Sequence, residues 1–576
     1  MRRLAVYLKH YKKEMILGPI FKLIEAVFEL IVPLVMARII DVGIATQDGG
    51  YVLKMGVLLF FLGALGLMCA LICQYCAARC SQGFGTELRS AFFRHINRFS
   101  HAELDKLGTP SLITRITSDI NQAQLSVAMM IRLVIRSPFL VLGAIVMAFT
   151  IDAKLALFFL LAAGLTAAVL YGILHATVPL YRTIQKKLDH VGLVTRESLE
   201  GARVIRAFAR QKDDAQRMAD ASAQLRRSAV RAGRISALLN PLTYVIINGT
   251  VLCVLWFGGL EVNAGHLTQG EVIALINYLS QILLALIALA NLIVILSKGY
   301  ASAHRIADVL AVEPSLADPV QPQSVLPKSG VPKIEFDHVV FCYPGAQAPS
   351  LSDCTVSIAK GSTVGLIGGT GAGKSSFVNL IPRFYDVQQG AVRVDGVDVR
   401  RQSMAALRQK IGLVPQNAVL FSGTLRENLQ WGRPDADDDA LWHALCMAQA
   451  ESFVRAMPEG LESRIAQGGR NLSGGQRQRL TIARALVRQP EILILDDSAS
   501  ALDLATDAAL RQSLSDFPGT VLMISQRAST LRQCDQILVF EDGRIAGQGS
   551  HETLMAQCAI YREIVASQTQ AQGGQQ

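Results

Sequence analysis

Apolar residues are distributed unevenly along this chain. Within the first 310 residues they gather into six long runs, near 15–40, 53–79, 128–150, 154–178, 238–260 and 270–298. Each is close to the ~20 residues that an α-helix needs to cross the hydrocarbon of a bilayer. The pattern predicts six membrane helices. The loops at 41–52 and 261–269 and the turn Ile151-Asp152-Ala153 contain no Lys or Arg. Two long loops on the other side are basic. One carries Arg89, Arg94, Arg98, Lys106 and Arg115; the other runs from Arg182 and Lys186 through Arg203, Arg206 and Arg217 to Arg234. This bias places the long loops and both termini in the cytoplasm. The long loops are patterned for helix, with Arg203–Phe208 in a continuous amphipathic run, so the membrane helices are expected to continue far into the cytoplasm. Residues 1–13, basic and amphipathic, suit the membrane surface.

The pattern changes after residue 311. Pro314, Pro319, Pro322, Pro327 and Pro332 mark 312–332 as a linker. From 333 to 566 the apolar runs are short and bounded by turn residues, as in a soluble α/β domain. Lys333–Phe341 alternates like an edge strand. Thr363–Ile367 reads as a buried strand and Ser376–Ile381 as the start of a helix. Ile411–Pro415 and Glu491–Leu495 are further apolar runs, and Thr520–Ser525 is a strand ending at Gln526. The tail Ser567–Gln576, rich in Gln and Gly, is expected to be disordered. The expected fold is thus an all-α membrane domain of six helices over 1–311, fused to an α/β P-loop domain over 333–566.

Composition agrees with a membrane location. At 576 residues the chain is too long for one domain, and it is 51% hydrophobic but only 18% charged. The net charge of +10 is assigned to cytoplasmic loops rather than to nucleic-acid binding. No cleavable signal peptide is evident, because the first apolar run is long and lacks a small-residue cleavage site. Among ten cysteines, Cys69, Cys73, Cys76 and Cys80 follow a helical stripe. Nothing nearby completes a ligand set, so packing is preferred over a metal or redox cluster. Lys22, Glu25 and Glu29 share one face of the first membrane helix. Charge there is costly, so this face should look at a cavity or at partners. Substrate or ion contact and a Lys22–Glu25 pair tying helices together both remain open.

The chemistry is concentrated in Gly368-Gly369-Thr370-Gly371-Ala372-Gly373-Lys374-Ser375, a match to G-x-x-x-x-G-K-[ST] with a strand before it and a helix after it. The glycines let backbone amides converge on phosphate, and the helix N-terminus adds positive charge. Lys374 should reach the β- and γ-phosphates of ATP, and Ser375 should hold Mg²⁺. The strand ending in Asp496-Asp497 supplies the distant acid that closes the Mg²⁺ site.

With Leu472-Ser473-Gly474-Gly475-Gln476 between these two elements, nearly the whole chain resembles the ATP-binding cassette exporters, as a half-transporter. The resemblance implies that Tyr343 stacks on adenine and that Ser376 belongs to the phosphate loop. It implies that Gln416 senses Mg²⁺ and the membrane domain, and that Asp496 coordinates Mg²⁺. Ser473, Gly474, Gly475 and Gln476 would bind the γ-phosphate of ATP held by the opposite subunit, and Asp503, after Ser500, would communicate across the dimer. Segments around Leu107–Ser111 and Arg203–Phe208 resemble those that touch the nucleotide-binding domains. Two positions depart from the family at the catalytic centre: Asp497 stands where the family has Glu, and Gln526 where it has His. Gln467, just before the signature, is a third departure. The chain is similar to the degenerate-site subunit of heterodimeric bacterial multidrug exporters. It would move amphipathic drugs or lipids across the plasma (inner) membrane with a second half-transporter. A slow homodimer and an ATP-gated regulatory or sensing protein remain as alternatives.

Overall fold

A computed structural model describes residues 4–323, 330–498 and 501–573. The chain divides into two compact units. One holds the residues up to Asn97 together with Pro110–Val312; the other holds Arg98–Thr109 and the chain from Glu313 onward.

The first unit is helical. After a 3₁₀ segment Leu4–Tyr11 come the helices Lys12–Arg38, Gly49–Ile96, Thr109–Ile151, Ala153–Glu200, Gln211–Asn263 and Gln269–Ala311. Five of these are long and apolar enough to cross a membrane. The helix Lys12–Arg38 is not among them, since Lys22, Glu25 and Glu29 interrupt its apolar stretch. The five run for 43 to 53 residues, about 65–80 Å at 1.5 Å per residue, more than twice the ~30 Å of bilayer hydrocarbon. The amphipathic run through Arg203–Phe208 is not continuous, however. The helix Ala153–Glu200 stops at Gly201, a short helix Ala202–Ala207 follows, and Ala209 turns the chain at φ 54°. A non-glycine residue at positive φ is a turn, not helix.

Small residues let these helices approach closely. Ala144, Ala148, Ala156 and Ala162 are buried beside Phe159, Leu275 and Tyr278. A Cβ on Gly299 would lie 1.7 Å from Ser126 Oγ. Tyr278 Oη donates to the Leu30 carbonyl at 2.6 Å, and Arg305 Nε donates to Asp119 at 2.9 Å. The four stripe cysteines are all buried. Phe60, Val245 and Trp256 are exposed large apolar side chains, as a lipid-facing surface requires.

The second unit carries two main sheets. A four-stranded antiparallel sheet runs in the order Leu351–Ile358, Ile334–Phe341, Gln389–Val394, Val397–Asp398. Ile334–Phe341 is therefore paired on both sides, not an edge strand. Its alternation reports that the two faces of the strand differ, which says nothing about lateral neighbours. The six-stranded sheet runs Arg544–Gly549, Gln536–Glu541, Thr363–Gly368, Thr520–Ile524, Ile492–Asp496, Ile411–Val414. All pairs are parallel except the first. Helices cover parallel strands on both faces, so these strands read as continuous apolar runs. Phe377 seats the helix Lys374–Leu380 on the core, its ring stacked on Phe336 at 3.8 Å.

The segment 312–323 is irregular, consistent with its prolines, and Pro327 lies outside the described residues. The C-terminal helix Ala559–Gly573 continues into the stretch expected to be disordered. Ile560, Ile564 and Val565 pack it onto the core, and that anchoring outweighs the polar composition beyond. Gly574–Gln576 lie outside the described residues.

Candidate functional site

Parallel strands deliver their C-terminal ends to one edge of the sheet, where α/β folds gather ligands. Thr363–Gly368 runs into the glycine loop, and the helix Lys374–Leu380 starts directly after it. Gly368 sits at φ 151° and Gly373 at φ 99°. Their Cβ atoms would lie 2.3 Å from the Phe540 carbonyl oxygen and 2.7 Å from that of Ser350, so both positions require glycine. Beside Gly369 and Gly371 there is open space within 4 Å. Lys374 is buried, and its Nζ donates to the carbonyls of Gly368 at 2.9 Å and Gly369 at 2.6 Å. Burial lowers its pKa, while Asp497 and Asp496 pull in the opposite direction.

Three more strand ends converge here. Ser375 Oγ donates to Asp496 Oδ1 at 3.1 Å. Gln416 Nε2, two residues past Ile411–Val414, donates to Asp497 Oδ2 at 3.4 Å. Gln526 Nε2, two residues past Thr520–Ile524, donates to the same oxygen at 3.5 Å. The last two contacts are long, hence weak. Asp497 adopts φ 46°, a region where Asp is enriched among non-glycine residues. Burial raises the pKa of Asp496 above the usual range, opposed first by the Ser375 hydrogen bond. Burial also raises that of Asp497, opposed by Gln416 and Lys374. The Ser375 hydroxyl, the Asp496 carboxylate and the Gln416 amide oxygen are hard donors, and this set fits Mg²⁺.

Tyr343 stands beside the loop. Its hydroxyl is 3.1 Å from Ser376 Oγ, and its ring meets Tyr385 edge-on at 5.2 Å. Tyr385 carries the contact onward, its hydroxyl donating to Asp105 at 2.8 Å while His101 lies 4.5 Å from the Phe384 ring. The contacting segment is thus the helix His101–Leu107, earlier in the chain than Leu107–Ser111. A Ser100/Glu103 capping box starts this helix, and Gly108 at φ 73° ends it.

The signature is not brought to this loop. Ser473 caps the helix Gly474–Val487, exchanging hydrogen bonds with Gln476 at 2.9 and 3.2 Å. Among the described residues none of Ser473–Gln476 hydrogen-bonds to Gly368–Ser376. Ser473 and Gly474 are exposed, and Gly475 lies near the Ala501 carbonyl. Asp503 caps the helix Leu504–Ser515 through Thr506, and Ser500 lies outside the described residues. Gln467 borders an open groove of about 990 Å³ with exposed Val419, Phe421 and Trp431.

In the membrane unit Lys22 Nζ donates to both Glu25 oxygens, at 2.7 and 2.6 Å, within one helix. Glu29 is the residue that ties helices together, accepting from Arg136 at 2.7 Å. Arg136 Nε and Gln281 Oε1 are buried without a partner among the described residues. Arg132, one turn before Arg136, has no ion pair among the described residues.

Sequence reasoning missed Tyr385 and also Gln568, whose side-chain amide meets the backbone of Gln526 and Ala528. Tyr385 had a weak signal, the aromatic pair Phe384-Tyr385 after the P-loop helix. Gln568, in a polar tail, had none.

Residues 15–286 match the family model of the ABC transporter transmembrane region, and residues 351–500 match that of the ABC transporter domain. An uncharacterized ABC transporter ATP-binding protein of Mycobacterium tuberculosis is 38% identical over 98% of both chains. A fatty acid ABC transporter ATP-binding/permease protein of the same species is 33% identical, over 83% of this chain and 75% of its own. An ATP-dependent lipid A-core flippase of Vibrio vulnificus is 28% identical, over 98% of this chain and 96% of its own. The fold is shared with a bacterial Atm1-family ABC exporter solved with ATP bound, at TM-score 0.78, 24% identity and 97% and 98% coverage of the two chains.

Proposed function

The chain belongs to the ABC transporters, as an exporter half-transporter with its membrane domain fused to its ATPase domain, and from that premise we propose that it is the slowly hydrolysing subunit of a heterodimer. The observation that carries this reading is the convergence of Gln416 and Gln526 on Asp497. The phosphate loop has what ATP binding needs: glycines without clash, a buried Lys374, and the N-terminus of a helix. Mg²⁺, held by Ser375, Asp496 and Gln416, would supply charge neutralisation of the phosphates. Asp497 would orient the attacking water from a carboxylate about 1.5 Å further back than a Glu would place it. Gln526 would donate a hydrogen bond to the terminal phosphate without a titratable charge.

A second subunit is supported by two unfilled apolar surfaces. The helix Ala202–Ala207 buries none of its residues, and Val204 and Phe208 stand out from it. The groove at Phe421 and Trp431 is likewise uncovered. Exposed apolar surface of this kind marks an interface. Ser473–Gln476 would complete the ATP site on the partner. Both termini would lie in the cytoplasm of a multi-pass protein in the plasma membrane.

The cargo is an amphipathic molecule, with a lipid or fatty acid favoured over a cationic drug. Two relatives, matched over 75% and 96% of their own chains, are named for such cargo. Of Lys22, Glu25, Glu29, Arg132 and Arg136, one more is positive than negative, and Arg132 lacks an acidic partner among the described residues. Ionisable groups inside a membrane span mark cargo paths. Retrieval of the tagged chain from its native membrane tests the assembly. The expected partner is a second half-transporter with Glu and His at the positions matching 497 and 526, and a complex that hydrolyses ATP at least about tenfold faster than this chain alone. Recovery of only its own copies, with fast hydrolysis, contradicts the proposal.

A further inference from the structure

The C-terminal helix returns one side chain to the loop that carries Gln526. Tyr561 is fully buried, its hydroxyl 2.8 Å from His551 Nδ1, and Ile564 packs on the core one turn later. The helix is fixed by these contacts, and Gln568 follows one further turn along. Its Oε1 accepts from the Ala528 amide at 2.8 Å, and its Nε2 donates to the Gln526 carbonyl at 2.7 Å. Ala528 opens the short helix Ala528–Leu531, so its amide lacks an intrahelical acceptor. One side-chain amide thus brackets the backbone on both sides of Arg527. Inside that bracket the Gln526 side chain points to Asp497 Oδ2.

We propose that Gln568 is a positioning residue for the terminal phosphate of ATP: by clamping the backbone of 526–528 it sets the direction of the Gln526 side chain. This rests on the reading of Gln526 as the group that meets that phosphate. The bracket demands an acceptor and a donor on one short planar group. Glu offers only acceptors at neutral pH and would set a carboxylate oxygen against the Gln526 carbonyl; Met has the length but neither function. The polar tail thereby acquires a role at the nucleotide site. ADP lacks the terminal phosphate, so the bracket should matter for ATP alone.

The test uses the full-length chain in nanodiscs with Mg²⁺, measuring ATP and ADP affinity for the wild type, Gln568→Met, Gln526→Ala and the double variant. Gln568→Met is expected to weaken ATP about threefold to tenfold, the worth of one or two hydrogen bonds, and to leave ADP unchanged. The double variant should be no weaker than Gln526→Ala alone. Hydrogen exchange at the Ala528 amide should quicken about tenfold or more in Gln568→Met. Equal weakening of ATP and ADP, or no weakening of either while Gln526→Ala loses ATP, overturns the proposal. If Gln526→Ala itself leaves the preference for ATP unchanged, the reading of Gln526 is what fails. The bracket is then judged by exchange alone, and an unaltered Ala528 amide refutes it.

Discussion

The double variant Asp497→Glu with Gln526→His is expected to raise ATP turnover at this site by about 10- to 100-fold. A Glu side chain is one methylene longer than Asp, so its carboxylate advances by about 1.5 Å, and a misplacement of ~1 Å in a catalytic group costs on the order of 100-fold. The contacts that Gln416 and Gln526 make to Asp497 are long, at 3.4 and 3.5 Å. The carboxylate stands at the strand end without being drawn tightly to either amide. His at 526 would add a group that carries positive charge when protonated, which Gln cannot. One term opposes the gain. Residue 497 sits at φ 46°, where Glu is less at home than Asp, which keeps the expected gain nearer the lower end. Steady-state phosphate release from the purified variant reads the outcome. Unchanged turnover would mean that the two positions do not limit hydrolysis.

Lys374→Met is expected to weaken ATP binding by about 10- to 100-fold, which corresponds to the loss of a charge-assisted hydrogen bond to phosphate. Lys374 is buried, and its ammonium is held over the loop by the carbonyls of Gly368 and Gly369. Burial pushes its pKa down, yet Asp496 and Asp497 counter that shift. The group can turn from these carbonyls toward phosphate. Met keeps the length of the stem and removes the charge. The fold should survive, since Phe377 and its stack on Phe336 hold the following helix independently. Thermal unfolding separates the two effects. The wild type should gain about 2.7 kcal/mol from ATP at a hundred times its Kd, and the variant should keep only about 0.4–1.4 kcal/mol of that gain at the same concentration. An undiminished stabilisation by MgATP would remove Lys374 from the phosphate site.

Much of this was legible along the chain because the physics was local. Six apolar runs can be counted without knowing how they pack. The P-loop is contiguous, and parallel strands announce themselves because both faces are buried. What was missed depended on distance. Ile334–Phe341 looked like an edge strand because periodicity does not encode lateral pairing. The run through Arg203–Phe208 broke at Gly201 and Ala209, where a single turn outweighs an amphipathic pattern. Tyr385 links Tyr343 to Asp105 across 280 residues of chain. Gln568 sits in a tail whose composition suggests disorder, and only the packing of Ile564 and Tyr561 brings it to Gln526. The departures at Asp497 and Gln526 were visible in sequence; their convergence on one carboxylate oxygen with Gln416 was not.

This chain is expected to bind ATP well and to hydrolyse it slowly on its own loop. The direct measurement follows radiolabelled ATP on the isolated full-length chain in nanodiscs, with MgATP affinity and turnover taken from one preparation. Saturable ATP binding is expected, abolished or strongly weakened by Lys374→Met, with turnover far below the ~10 s⁻¹ typical of enzymes. Tight binding with turnover near that value, from this chain alone, would contradict that expectation.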